Sequence, residues 1–209
     1  MPAITALRIS NRRKTQVEID LDGEPWMTVD AEVVVRLGLK LGGNLDGSAL
    51  KAIETENAFV AARQRAIRFC LRQPRTVLEI HRRLKEDRCD AATIERVMAE
   101  LRGQRLVEDR EVARRQARRG KKTRIGPLRV EAELAARGVA DDLLDSELEP
   151  LRDPEWQRRE VEALARKRLA RLAGRPREER QRKVGEYLLR RGFDPQIVQE
   201  VVGHLLPED

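Results

Sequence analysis

Aromatic side chains are scarce in this 209-residue chain, at 3% of the total, and cysteine and histidine occur only twice each. So few aromatics argue against a β-sandwich or barrel and favour helices packed through Leu, Ile, Val and Ala. Cys70, Cys89, His81 and His204 are too widely spread for a zinc site, and the cysteines are expected as reduced, packed thiols. No apolar run approaches the ~18 residues of a membrane span. The opening Met1-Pro2-Ala3-Ile4-Thr5 lacks the charged-then-apolar layout of a signal peptide, so a cytoplasmic location is expected. Glycine offers no phosphate loop. Gly42-Gly43 with Gly47 has no following Lys-Ser/Thr and does not join a buried strand to a helix. His81 has no paired nucleophile nearby, and most carboxylates have a basic residue three or four positions away. Neither catalysis nor a cofactor is implied.

Charge, by contrast, is abundant: 38% of residues are Asp, Glu, Lys or Arg, and the net charge is +7. The excess is local. Residues 1–57 carry a net −2, residues 58–152 a net +7 and residues 153–209 a net +2. Of the 43 basic residues 35 are arginine, whose planar fork suits phosphate and carboxylate partners, although a high-GC genome would also enrich it.

The chain begins with β patterning. Residues 4–9 and 15–21 alternate apolar and polar around Ser10-Asn11-Arg12-Arg13-Lys14, and Asp22-Gly23 turns the chain towards Trp26-Met27-Thr28-Val29. This predicts a small antiparallel meander, then a short helix capped by Asp30 and another over about 47–55.

Helical periodicity takes over from residue 57, with helices expected near 58–72, 76–87, 91–104, 109–121, 127–137, 141–149, 154–173, 176–191 and 195–205. Thr76 with Glu79 makes a capping box. Asp90, Asp109, Asp141, Asp153 and Asp194 are candidate N-caps, and Pro127, Pro154, Pro176 and Pro195 are candidate first residues. An internal repeat emerges from the stops. Leu84, Leu134 and Leu188 each stand four residues before Arg88, Gly138 and Gly192, where a left-handed residue should end the helix. Arg88 breaks the glycine pattern and predicts strain or a different cap.

The expected architecture is mainly α: three tandem three-helix repeats in an elongated array behind a small β-rich N-terminal extension. The divisions fall at 1–56 (the extension), 57–107, 108–152 and 153–209. Phe59, Phe69, Tyr187 and Phe193 are expected in the core. No heptad seam or wholly apolar face asks for a self-partner, so a monomer is expected.

The strongest chemical signal lies between residues 110 and 129. Arg110, Arg114, Arg115, Arg118, Arg119, Lys121, Lys122, Arg124 and Arg129 face a single acid, Glu111. On a helix, Arg110, Arg114 and Arg118 stack at four-residue spacing, with Arg115, Arg119 and Lys122 alongside. Val112, Ala113, Gln116 and Ala117 remain as a thin packing side. Uncompensated like charges at this spacing point to an anionic partner, either a nucleic-acid backbone or an acidic protein surface. Without aromatics, base stacking is not the expected mode.

The run Gly126-Pro127-Leu128-Arg129-Val130, continuing through Glu133-Leu134 to Arg137-Gly138-Val139, resembles the G-P-x-R-I-x-x-E-L-x-x-K-G-I signature of the RecX regulatory proteins. Arg105-Leu106-Val107-Glu108-Asp109 with Ala113 is similar to the family's G-L-L-D-D-x-x-F-A stretch. Thr76, Glu79, Ile80 and Leu84 are similar to its S-x-x-E-L-x-x-x-L helix. Val112 departs from the family's usual Phe, Arg88 from its frequent Gly and Glu108 from its frequent Asp.

The resemblance implies a modulator, commonly an inhibitor, of the RecA recombinase. Such a protein would lie in the helical groove of the RecA–single-stranded DNA filament. It would block extension or hasten disassembly, and lower ATP hydrolysis, strand exchange and promotion of repressor self-cleavage. The nine basic residues above would then be the filament-binding set, with free single-stranded DNA bound weakly or indirectly and no membrane involved. The alternative is a sequence-tolerant nucleic-acid-binding protein that acts without a recombinase.

Overall fold

In the computed structural model, which describes residues 1–11 and 14–206, the chain starts with a three-stranded antiparallel sheet. Strands β1 (Ile4–Ile9), β2 (Gln16–Leu21) and β3 (Glu24–Asp30) lie in sequence order. Leu7 stands opposite Ile19, and Val17 opposite Val29. Asp22 and Gly23, both at positive φ, make the β2–β3 turn, as a tight hairpin requires. Arg12 and Arg13 of the expected first turn lie outside the described residues. Asp30 then caps α1 (Ala31–Arg36), its Oδ1 accepting from the Glu32 N–H at 3.0 Å.

Nine further helices follow: α2 (Gly47–Arg72), α3 (Val77–Glu86), α4 (Ala91–Gly103), α5 (Asp109–Thr123), α6 (Pro127–Ala136), α7 (Asp141–Arg152), α8 (Pro154–Ala170), α9 (Arg177–Arg190) and α10 (Pro195–Leu205). The architecture is mainly α with a small N-terminal sheet, as the patterning predicts. One expected division is absent: the helices at 47–55 and 58–72 are a single α2 of 26 residues. The apolar period looks broken near residue 56 because Glu56 occupies an inward-facing position. It is buried alongside Ile53, Phe59 and Val60, and arginines satisfy it.

The helix ends follow capping chemistry with three corrections. Thr76 and Glu79 form the reciprocal box, Thr76 Oγ1 accepting from the Glu79 N–H at 3.1 Å and Glu79 Oε2 from the Thr76 N–H at 3.0 Å. Asp90, Asp153 and Asp194 cap as expected. Asp109 and Asp141 instead open their helices one residue inside the cap, and Pro176 sits at the cap of α9 rather than within its first turn. Gly138 and Gly192 take φ of +82° and +81°, and Arg88 adopts the same left-handed region at +59°. A side chain there costs on the order of 1 kcal/mol relative to glycine.

The chain divides into two compact units. The first comprises residues 1–73 and 80–107, the second residues 74–79 and 108–209. In the first, Ile4, Ile19, Val29, Val33, Ile53 and Val60 are buried between sheet and helices. Asn57 and Gln64 of α2 bind Asp30, fixing the corner between β3 and α1. Phe59, 1% exposed, carries the guanidiniums of Arg36, Arg63 and Arg96 over its ring, that of Arg96 at 3.8 Å from the centroid. Glu32, Glu56 and Glu100 neutralise these arginines. The hydrogen bonds from Arg96, and then those from Arg36, outweigh burial and hold the Glu56 carboxyl below the usual carboxylate range.

The second unit has one continuous core that includes Val112, Val130, Leu134, Leu148, Leu151, Trp156, Val184, Leu188 and Phe193. The Trp156 and Phe193 rings stand 6.1 Å apart. Phe59 and Phe193 are core residues as expected, whereas Phe69 and Tyr187 are only half-buried. Cys70 and Cys89 are half-buried thiols, neither joined in a disulfide.

Candidate functional site: the basic helix of the second unit

Helix α5 is amphipathic in an unusual sense, because its inner face is made of small residues. Val112, Ala113, Ala117 and Gly120 are buried at helical spacing. A Cβ on Gly120 would come within 3.0 Å of Val130 Cγ2 and 3.2 Å of Leu151 Cδ2, so glycine sets how closely α5 approaches α6 and α7. Outward, Arg110, Arg114, Arg115, Arg118, Arg119, Lys121 and Lys122 are all exposed.

Neighbouring elements divide the nine basic residues into three sets: four paired with carboxylates, Lys121 beside an aromatic ring, and four without a counter-charge. Arg114 Nε lies 3.1 Å from Glu147 of α7, and Arg110 Nε 3.7 Å from the same carboxylate. The Glu147 hydrogen bond, followed by its charge, raises the Arg114 pKa further. Arg124, left-handed at the end of α5, pairs with Glu160 at 3.1 Å, and Arg129 pairs with Glu133 at 3.0 Å. Lys121 has its ammonium 5.7 Å from the Trp156 ring centroid. Among the described residues, no carboxylate lies within ion-pair distance of Arg115, Arg118, Arg119 or Lys122. Four cations therefore occupy one exposed face with no counter-charge, a surface suited to an anionic partner.

The ends of this unit's helices are held by a device used twice. The Arg137 carbonyl at the end of α6 accepts from Thr76 Oγ1 at 2.7 Å, while the Arg137 guanidinium reaches Glu79 and the Pro74 carbonyl. At the end of α9, the Arg191 carbonyl accepts from the Gly126 N–H at 2.8 Å, and the Arg191 guanidinium reaches the carbonyls of Thr123 and Arg124. Arg137 and Arg191 occupy the same repeat position, each followed by a left-handed glycine. Sequence periodicity marks those glycines but not the arginines before them. Asp109 is a second residue whose role the sequence misplaces: its Oδ1 accepts from the Val77 N–H at 2.9 Å and does not cap its own helix. Among the described residues no group of His, Cys, Asp and Glu could hold a metal ion, and no helix is long and apolar enough to cross a membrane.

These features define a class, the helical repeat proteins built from three-helix units. The profile of the first three-helix domain of RecX matches residues 62–101, and that of the third matches residues 160–202. Helices α5–α7 lie between the two. The regulatory protein RecX of Limosilactobacillus reuteri is 28% identical over 200 residues, covering 95% of this chain and 75% of the relative. RecX of Geobacillus kaustophilus is 29% identical over 199 residues, covering 92% and 72%. A crystal structure of a regulatory protein RecX superposes with a TM-score of 0.79 at 27% identity, over 96% of this chain and 98% of that one. RecX from Lactobacillus salivarius, at 22% identity and a TM-score of 0.65, shares the fold over 72% of this chain. The chain belongs to the RecX family of regulatory proteins.

Proposed function

We propose that this protein regulates a RecA-type recombinase by binding its filament on single-stranded DNA, in the helical groove, and inhibits it by blocking extension or promoting disassembly. ATP hydrolysis, strand exchange and coprotease activity fall together under this reading. Membership of the RecX family supports it, and the observation that carries it at residue level is the exposed face of Arg115, Arg118, Arg119 and Lys122 without counter-charges. Lys121 adds to that face, while Arg110, Arg114, Arg124 and Arg129 flank it already paired with carboxylates. The protein acts by binding, as a cytoplasmic monomer without cofactor or turnover of its own. Its repeats are taken as residues 57–107, 108–152 and 153–209, behind the extension at 1–56.

The test is ATP hydrolysis by cognate RecA on single-stranded DNA with substoichiometric protein added. Progressive loss at ratios well below one per RecA monomer is expected, weakened by the double substitution Arg115→Glu/Arg119→Glu at unchanged helicity. Unchanged hydrolysis would remove the recombinase from the reading. The same basic face also supports the second reading, a sequence-tolerant nucleic-acid binder. Tight, steeply salt-dependent binding to naked single-stranded DNA would favour it.

A further inference from the structure

A cleft of 290 Å³ opens in the second unit, where the end of α8 meets the end of α9 and the residue that terminates α5. Five cations line it: Arg124, Lys167, Arg168, Arg171 and Arg191, with Tyr187 as its aromatic wall. Only Arg124 has a carboxylate partner there, Glu160. Among the described residues, none lies within ion-pair distance of the other four.

The donors are not equivalent. Arg191 spends its guanidinium on the Thr123 and Arg124 carbonyls and the Tyr187 hydroxyl, so it contributes charge and a fixed wall. Arg168 Nε is buried and has no hydrogen-bond partner, a condition polar groups seldom tolerate unless something else satisfies them. Lys167 and Arg171 are exposed at the rim. The Tyr187 ring already carries Arg168 at 5.5 Å and Arg191 at 5.6 Å from its centroid, which takes away its use as a stacking platform for a base.

A cleft that offers donors, positive charge and no acceptor carboxylate except the one held by Arg124 selects a ligand made of acceptors. Guanidinium and ammonium groups together match phosphate oxygens. A nucleic-acid strand brings one negative charge per nucleotide, spread along its length. Several cations converging on one small volume are better matched by a short chain of linked phosphates, which concentrates its charge. We propose that this cleft is a binding site for a compact oligophosphate, such as the di- or triphosphate chain of a nucleotide. The site does not rest on the filament reading, since Arg124 alone is shared with the basic face of α5.

The probe is inorganic tripolyphosphate, titrated calorimetrically into the full-length protein at fixed ionic strength. A thermal melt run alongside reads the same event, because a ligand bound only by the folded state raises the midpoint. Saturable one-to-one binding and a raised midpoint are expected. Lys167→Gln/Arg171→Gln should weaken binding at least tenfold while leaving the ligand-free melt and RecA inhibition unchanged. An oligothymidylate without a terminal phosphate provides the other arm and is expected not to compete at equal phosphate concentration. Absence of saturable tripolyphosphate binding, or equal binding by the double variant, overturns the proposal. So does loss of oligothymidylate binding in that variant where tripolyphosphate fails to bind, which would assign the cleft to a strand backbone. If RecA inhibition fails in the wild type while tripolyphosphate binds, the filament reading falls and the cleft stands.

Discussion

The Arg137 guanidinium grips both oxygens of Glu79, Nε to Oε1 at 2.9 Å and Nη2 to Oε2 at 3.1 Å, across 58 residues of sequence. Glu79 is also the carboxylate of the capping box at the start of α3. Burial pushes its pKa up from the ordinary 4.5, but the Arg137 hydrogen bonds, the Thr76 N–H and the charges of Arg137 and Arg75 outweigh burial and hold it lower. A carboxyl depressed in the folded state contributes fully above its unfolded value and loses that contribution as pH falls through the folded one. Glu79→Gln should therefore cost about 1–2 kcal/mol at neutral pH. Part of that difference should disappear in urea melts run below about pH 4. A gap between variant and wild type that stays constant into acid would show that the charge of Glu79 is not what matters.

Two glycines of the second unit should respond oppositely to alanine. At Gly192, φ is +81° and a Cβ would stand 2.3 Å from the Arg129 backbone nitrogen, so Gly192→Ala is expected to cost ~3 kcal/mol or more. Gly185 lies within α9 with nothing near its missing Cβ, and Gly185→Ala should stabilise by about 0.5–1 kcal/mol. Thermal denaturation of the pair decides, and a mild effect at Gly192 would contradict the close backbone approach.

Adjacent arginines on α5 should separate by role. Arg114→Gln removes the main partner of Glu147, whose side chain is only 12% exposed, and should lower the melting midpoint. Arg115→Gln breaks no ion pair and should leave the midpoint unchanged while weakening RecA inhibition under the proposed function. Equal effects of the two on both readouts would mean that Glu147 does not sort the basic residues.

In the first unit, Phe59→Ala should destabilise by roughly 3–5 kcal/mol, the range for removing a buried aromatic ring. Three guanidiniums lose their platform together. Phe59→Leu restores apolar volume but no π-face, so the residual deficit measures the cation–π share. A fully rescued Phe59→Leu would place the whole effect in packing.

Short-range pattern made much of this fold legible. Alternation located the strands, and Asp22-Gly23, the Thr76–Glu79 box and the Asp-Pro starts located turns and caps, because each is satisfied by residues within a few positions. Features decided by distant partners were not legible. Glu56 disguised the continuity of α2 because its partners, Arg36 and Arg96, lie 20 and 40 residues away. Asp109 has the sequence context of a cap, but its carboxylate accepts from the Val77 N–H, 32 residues away. The basic run from 110 to 129 was visible, but its division by Glu147 and Glu160 required tertiary structure. The cleft left one usable trace: residues 163–177 contain six basic and no acidic side chains.

Where Gly126 meets Gly192, the contact is main chain against main chain: a Cβ on Gly126 would fall 2.2 Å from the Gly192 carbonyl oxygen, and the Leu128 N–H donates to that oxygen at 3.0 Å. Such a junction stores its register in peptide groups, which substitutions away from the two glycines leave in place unless they introduce proline at a donor such as Leu128. Side chains around it are then free to drift. A joint of this kind asks little of the side chains around it, so most of the surrounding sequence can change while the two backbones still meet in one register.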